Sequence, residues 1–315
     1  MCSTIPVSIL MPLLMGWRSA SADQPSGCGN PHPVGFNDDR TINHVVSGGL
    51  DRYYAIYVPL NYNADTNQRR PLIFDFHGSG GSPQKQYENS MYYDNPKGSE
   101  YIAVYPTGIK KHWQGPSYAD PTVNDLQFVT DLLAHIEANY CIDPNRIYAS
   151  GKSNGGGFVD TLACSDHGDR FAAFAMAAAA LYTDNELNGC PKRRAILEAH
   201  GEQDTTILYH GSDAASGGSV PDIPTWVRWW AERNGCDPAV DGSVSEDLGG
   251  YDVTSYSCGG MVNIVQHYKV HELGHCWPSS NGKNSDSERD VCADRSLDFT
   301  AAVVEFFEKW TSSYT

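Results

Sequence analysis

The stretch Arg146-Ile147-Tyr148-Ala149-Ser150-Gly151-Lys152-Ser153-Asn154-Gly155-Gly156-Gly157 decides how this chain folds. Residues 146–150 are β-patterned, a Gly-x-Ser-x-Gly turn follows, and Phe158-Val159-Asp160 opens a helix. A strand running into a tight turn and then a helix is the context a nucleophile elbow needs. Small residues on either side let the backbone close up. The Ser153 hydroxyl then stands exposed above the sheet, and the Asn154 amide points to where an oxyanion would form. Taken alone, the motif also fits a glycine-rich turn that happens to hold a serine. The rest of the chain has to supply a base, an acid and a second oxyanion donor in the right order.

Working outward, Leu72-Ile73-Phe74-Asp75-Phe76 is a short apolar run ending at His77-Gly78-Ser79-Gly80-Gly81, and residues 101–105 form another ending at Pro106. Such runs, bounded by glycine or proline, fit buried parallel strands. Residues 124–140 read as a helix, because Leu126, Phe128, Val129, Leu132, Leu133 and Ile136 recur at three- and four-residue spacing. Beyond the elbow, residues 171–180, 195–199 and 262–270 read as strands, and 225–233 and 296–310 as helices. Residues 41–46 and 52–58 predict a hairpin through Ser47-Gly48-Gly49. Residues 237–260 are polar and turn-rich and read as a surface excursion. Strands alternate with helices throughout, which predicts an α/β protein: a mostly parallel sheet covered by helices on both faces. With no repeat and no long linker, residues 23–315 are expected to form one domain.

The 315 residues are 40% hydrophobic and 11% aromatic, enough for a sizeable core. The formal net charge of -16 argues against nucleic acid or an anionic membrane as partner, since both need a basic face. Residues 5–17 are apolar but too short to span a bilayer, and Ala20-Ser21-Ala22 follows as a small-x-small site, so residues 1–22 are expected to be a secretory signal peptide. Of nine cysteines, Cys2 would leave with that segment; the remaining even number suggests four disulfides in an exported protein. Cys236–Cys258 and Cys276–Cys292 are the favoured pairs, because each closes a local polar loop; the other pairings stay open.

In a hydrolase on such a sheet, the acid and then the histidine follow the serine at the ends of later strands. His200-Gly201-Glu202-Gln203-Asp204 follows one strand, which makes Asp204 the candidate acid. His271-Glu272-Leu273-Gly274-His275-Cys276-Trp277-Pro278 follows the last strand, which makes His275 the candidate base. The Ser79 amide in the glycine run after the early strand is the expected partner of the Asn154 amide in the oxyanion hole. Each part has an ordinary structural reading, Asp204 as a helix cap, His275 as a loop histidine and the glycine run as a turn; it is their order and strand context together that point to acyl transfer. His271 to His275 also match His-Glu-x-x-His, a zinc-protease pattern that requires a helix. A strand leads directly into it, Gly274 weakens a helix and Pro278 follows, so that reading stands only as a distant alternative. Trp277, two residues after the base, is the aromatic expected at the site; Trp226, Trp229 and Trp230 have the helical spacing of core residues, and of these Trp226 is the one expected to bind substrate.

With these residues in view, the chain resembles a known family. His-Gly-Ser-Gly-Gly, residues 141–148 (Cys-Ile-Asp-Pro-Asn-Arg-Ile-Tyr), Gly-Lys-Ser-Asn-Gly-Gly-Gly and Gly274-His275-Cys276-Trp277-Pro278 are similar to the corresponding stretches of secreted fungal feruloyl esterases of carbohydrate esterase family one, related to acetylxylan esterases and polyhydroxybutyrate depolymerases. The resemblance implies an α/β-hydrolase fold, no cofactor and no metal, a Ser153, Asp204 and His275 triad, and secretion to the cell exterior. It also implies action on ferulate-substituted plant polysaccharide such as arabinoxylan, or on small feruloyl esters, with acetylxylan or polyhydroxybutyrate as the alternative substrates; a monomer is expected. Leu273-Gly274 stands where the family has Gly-Gly before the base.

Overall fold

A nucleophile elbow needs a buried parallel strand beneath it. The computed structural model, which describes Met1 and residues 27–312, has one. In chain order the strands are β1 (Gly35–Asn37), β2 (His44–Ser47), β3 (Leu50–Val58), β4 (Arg70–Phe76), β5 (Ile102–Pro106), β6 (Ile142–Lys152), β7 (Ala173–Ala177), β8 (Ile196–Gly201), β9 (Ser212–Ala215), β10 (Gly218–Val220), β11 (Gly242–Ser245), β12 (Tyr251–Cys258) and β13 (Met261–Val270). The helices are α1 (Pro83–Ser90), α2 (Asp125–Asn139), α3 (Asn154–Ala163), α4 (Ile223–Arg233) and α5 (Phe299–Phe307). The expected signal segment, beyond Met1, lies outside the described residues.

The main sheet runs β1-β3-β5-β4-β6-β7-β8-β13-β12-β11, with β2 paired to β3. Its centre, from β5 through β4, β6, β7 and β8 to β13, is parallel, and both flanks are antiparallel. Every residue of β4, β7 and β8 is buried, as strands covered on both faces must be. The chain leaves β4 through α1 toward β5, and leaves β6 through α3 toward β7 on the opposite side. Loops that diverge in this way open a crevice above the carboxyl ends of β4 and β6, the usual ligand site of open α/β sheets. The His77–Gly81 run and Ser153 stand at those two ends.

Local chemistry explains the supporting elements. Asn124 caps α2 by accepting from the Gln127 amide at 3.0 Å, and Phe128, Val129, Leu132, Leu133 and Ile136 form its buried stripe. Each such side chain contributes roughly 1.5–3 kcal/mol by leaving water. The β2–β3 hairpin turns through Gly48 and Gly49 at φ 58 and 79, a left-handed pair that suits glycine and matches strand twist.

Residues 237–260 depart from the expected surface excursion. They contain β11 and β12, and β12 pairs antiparallel along most of β13. Their serines, threonines and aspartates hid strands whose support comes from the neighbouring ladder rather than from a buried face of their own. The expected strand over residues 171–180 is also shorter, because the chain leaves the ladder at Ala178, with φ 47, and bends over the elbow.

Four disulfides brace this frame: the two favoured pairs, Cys236–Cys258 and Cys276–Cys292, together with Cys28–Cys141 and Cys164–Cys190. Cys141 stands just before β6 and Cys164 just after α3, so the elbow's strand and helix are tied at their far ends. Cys28–Cys141 closes a loop of 113 residues and Cys276–Cys292 one of 16. Loop entropy then ranks the first as the stronger staple by about 1–2 kcal/mol. Replacing Cys28 and Cys141 together by Ser is expected to lower Tm more than replacing Cys276 and Cys292 together, and strong reductant is expected to lower it in the unaltered protein. Calorimetric scans of the two variants check the order; equal or reversed losses contradict it.

Candidate active site

Ser153 occupies the N-cap position of α3 at φ 56 and ψ -123, a conformation that costs a non-glycine residue of order 1–3 kcal/mol. Its side chain makes no capping bond and is left available. The strain is imposed by packing. A Cβ on Gly155 would lie 2.1 Å from the Phe76 carbonyl oxygen, and one on Gly157 would lie 1.9 Å from that of Ala180. Helix α3 therefore presses backbone against backbone on β4 and on the bend after β7, where only glycine fits. Asn154 fastens the turn from the other side, its Oδ1 accepting from the Trp113 amide at 2.8 Å and its Nδ2 donating to the Trp113 carbonyl at 3.2 Å.

His275 and Asp204 arrive from the loops after β13 and β8. His275 Nε2 lies 2.8 Å from Ser153 Oγ, and His275 Nδ1 lies 2.7 Å from Asp204 Oδ2. Asp204 Oδ1 accepts from the amides of Thr206 at 2.7 Å and Ile207 at 2.9 Å. Burial opposes the charge on Asp204, but donors from His200 and His275 outweigh it and hold the carboxyl well below its usual range. Burial pushes His275 down, with the positive charges of Lys152 and His200 adding to it against Asp204. A neutral imidazole with its proton on Nδ1 leaves Nε2 free to accept the serine proton.

The His77–Gly81 loop is latched to residues 108–113. His77 Nδ1 donates to the Gly78 carbonyl, its Nε2 accepts from the Gly108 amide at 3.1 Å, and Trp113 Nε1 donates to the His77 carbonyl at 2.9 Å. Ser79 Oγ lies 3.0 Å from His112 Nδ1, which leaves the Ser79 backbone beside the cleft that also holds Ser153 and His275.

That cleft has a volume of about 770 Å³. One wall is α1 and its flank, with Lys85, Gln86, Glu88 and Tyr93; the other is residues 282–289. The second wall carries no sequence motif, yet it is fastened to the elbow itself. The buried Lys152 ammonium pairs with Asp286, whose same oxygen accepts from the Trp277 amide at 2.8 Å, and Arg289 donates to the His275 carbonyl. Lys152 was the available signal: a cation beside a buried elbow demands an acidic partner.

Trp226 and Trp277, expected to bind substrate, do not reach the cleft. Both are buried, at 0% and 1% exposure. Trp226 Nε1 donates to Asp184 at 2.9 Å, and Trp277 Nε1 donates to Thr300 at 3.0 Å with its ring against Phe299. Their indoles serve the core: Trp226 lies on the buried face of α4 and meets the Asp184 carboxylate, and the loop that carries Trp277 turns inward to meet α5. The aromatic that faces the cleft is Tyr93, stacked 4.4 Å from Tyr87, which rests on Phe36 in turn. His271 and His275 lie in a turn and contact different acids, Asp252 and Asp204, so the helical face of a His-Glu-x-x-His zinc site is missing here. Among the described residues, the clusters of potential metal ligands each include a disulfide sulfur.

Below the elbow, Asp75 on β4 is fully buried. Its Oδ1 accepts from Ser150 at 2.8 Å and from Gln86 at 2.9 Å, joining β4, β6 and the α1 wall of the cleft. Its Oδ2 is buried without a partner, and burial pushes the carboxyl up to about 6.

No family model matches the chain. Feruloyl esterase D of Neurospora crassa is 30% identical over 287 residues, covering 86% of each chain. Feruloyl esterase C of Emericella nidulans is 24% identical over 84% of this chain and 91% of its own. Among solved structures, an acetyl xylan esterase from Aspergillus awamori superposes with a TM-score of 0.60 at 15% identity, over 88% of this chain and all of its own. A thermostable esterase does so with a TM-score of 0.54 at 13% identity, over 85% of this chain and 62% of its own. These two likenesses concern the fold, which is that of an α/β-hydrolase.

The state of Asp75 sets a pH dependence. Its folded pKa lies above its unfolded value, so its stabilising contribution is present at low pH and is lost as pH rises through about 6. Asp75→Asn keeps an acceptor for Ser150 and Gln86 without the buried charge. Its effect on stability is expected to be more favourable at pH 8 than at pH 4.5 by about 2 kcal/mol. Urea unfolding at both pH values is the check, and an equal effect at both contradicts it.

Proposed function

This chain belongs to the feruloyl esterase family, and from that premise we propose that it hydrolyses hydroxycinnamoyl esters of plant cell-wall polysaccharide through Ser153, His275 and Asp204. It is a carboxylic ester hydrolase. The observation that carries the reading is the unbroken line of hydrogen bonds, 2.8 Å from Ser153 to His275 and 2.7 Å from His275 to Asp204, at the floor of an open cleft.

In this reading His275 Nε2 takes the Ser153 proton as Oγ attacks the ester carbonyl. Asp204 keeps the imidazole in the required tautomer and stabilises the imidazolium that forms. The Asn154 and Ser79 amides hold the oxyanion of the tetrahedral intermediate. Collapse expels the sugar alcohol, which takes its proton from His275, and leaves an acyl group on Ser153. Water, deprotonated by His275, then releases ferulate. Lys85, Glu88 and the polar residues of the 282–289 wall suit the hydroxyls of a saccharide, and Tyr93 supplies an aromatic face for the substrate. The predominance of polar groups along the cleft favours a second reading, the same chemistry on acetylated xylan, in which the trough holds sugar and the acyl group is small.

A signal segment over residues 1–22, a single catalytic domain over 23–315 and action outside the cell as a monomer belong to the same proposal. The four disulfides support it, since such bonds persist in oxidising surroundings. No helix among the described residues is long and apolar enough to cross a membrane.

Ser153→Ala is expected to reduce turnover of methyl ferulate by about 10⁴-fold or more in a folded protein. Retained turnover contradicts the triad. Tyr93→Ala is expected to raise KM for methyl ferulate about tenfold with kcat little changed. Rates on methyl ferulate, p-nitrophenyl acetate and a polyhydroxybutyrate film rank the acyl groups, and absence of ferulate release rejects the first reading in favour of the second.

A further inference from the structure

Behind Asp204 lies a line of titratable side chains that the proposed cycle does not use. His200, fully buried on β8, presents Nδ1 to Glu198 Oε1 at 3.0 Å and Nε2 to the Ile207 carbonyl at 2.8 Å, with Asp204 Oδ2 3.4 Å from the same nitrogen. Glu198 gives its other oxygen to His267 Nδ1 on β13 at 2.8 Å, and His267 Nε2 meets the Tyr209 hydroxyl at 3.0 Å. The line thus runs from Ser153 through His275, Asp204, His200, Glu198 and His267 to Tyr209, and it crosses two neighbouring strands and the loops that follow them.

The geometry dictates the protons. Both nitrogens of His200 face oxygens of carboxylate or carbonyl groups, which accept. A neutral ring would set a lone pair against one of them, so the ring carries two N–H groups beside an ionised Glu198. His267 donates from Nδ1 to the ionised Glu198, and its Nε2 pairs with the Tyr209 hydroxyl. Burial opposes the charge on His200, but Glu198 and Asp204 outweigh it and hold its pKa up at about 10. Burial likewise pushes Glu198 up, and the two histidines outweigh it to leave the carboxyl low.

We propose that His200 is a positioning residue of this hydrolytic site: braced by Glu198, it clamps the Asp204 carboxylate in register with His275 Nδ1. The proposal rests on the reading of Ser153, His275 and Asp204 given above. It has an electrostatic consequence that simple packing lacks. The titratable groups that face His275 and Asp204 are His200 with Glu198, His267 and Tyr209 behind it on one side, and Lys152 with Asp286 on the other. The cation on His200 opposes a second cation on His275. Replacing it by a neutral residue lets His275 keep a proton to higher pH, so the acid limb of kcat/KM moves upward.

The test compares His200→Gln, Glu198→Gln and Ser153→Ala with the unaltered enzyme on p-nitrophenyl acetate. Competent sites are counted by titration with diethyl p-nitrophenyl phosphate. His200→Gln is expected to lower kcat/KM at its optimum about 10- to 100-fold, the scale of a small misplacement of a catalytic group. Its acid limb should move to higher pH. Glu198→Gln removes the counter-charge that holds the His200 proton; the buried ring then gives up its cation, and the limb should move the same way. A folded His200→Gln enzyme with an unmoved limb overturns the proposal; if that variant does not fold, an unmoved limb in Glu198→Gln does so. Nitrogen-15 imidazole spectra of the unaltered protein at pH 8 supply an arm free of mutation: both His200 nitrogens should carry protons, and a singly protonated ring overturns the proposal. Turnover by Ser153→Ala rejects the triad itself, whereas an inactive Ser153→Ala beside an unaffected His200→Gln rejects the positioning role alone.

Discussion

The contact of α3 with β4, backbone against backbone, is the constraint on which the site depends. It places the start of the helix so close to the Phe76 carbonyl that Gly155 has no room for a side chain, and it forces the residue before the helix into a positive φ. That residue is Ser153. Its hydroxyl is raised above the sheet as a by-product of packing, at the ends of the two strands whose loops part company. The parallel centre, the flanking helices and the Asn154 clasp on Trp113 keep this arrangement from relaxing.

The second theme is the handling of charge. The molecule is strongly acidic, yet its buried cations are placed at junctions. Arg52 binds Asp125 at the start of α2, Arg233 binds Asp184 beside α4, and Lys152 binds Asp286 under the cleft wall. Each pair joins segments far apart in the chain. Such pairs add little net stability over a well-packed apolar contact, but breaking one strands a charge in the interior. They act as selectors of one loop arrangement, and the Lys152–Asp286 pair does so at the cleft, where the same Asp286 oxygen also holds the Trp277 amide beside His275.

Much of this was legible in the sequence where a residue has few other reasons to be present. Glycines at 151, 155, 156 and 157 around one serine mean close approach, and Asp204 and His275 each follow a run that reads as a strand. Loops that close locally, between Cys236 and Cys258 and between Cys276 and Cys292, could be paired on paper. What stayed hidden depends on distant segments meeting. Lys152 and Asp286 are 134 residues apart, and nothing near either names the other. Trp277 stands beside the base, which suggested a substrate surface, but an indole ring follows the direction its backbone gives it, and here that direction is inward; Trp226 follows the core spacing of its helix instead of the pocket. Strand β12 is polar because its partner ladder, not its composition, makes it a strand. The role open to His200 was equally invisible, since His-Gly before an acid reads as a strand end until Glu198 and His267 are seen across the sheet.

The 282–289 wall is tied on both sides: to the elbow and base through the Lys152–Asp286 pair, the Asn284 bond to the Trp277 carbonyl and the Arg289 bond to the His275 carbonyl, and to α1 through Ser285, whose amide and hydroxyl donate to the Glu88 and Lys85 carbonyls. Between those ties, Lys283 and Glu288 line the cleft. The molecule is in this sense partitioned, with the triad carried by the sheet and its loops and a rim fastened above it. Substitutions along the rim can redraw which ester enters, while the cost of exploring them falls on a surface segment rather than on the geometry of Ser153.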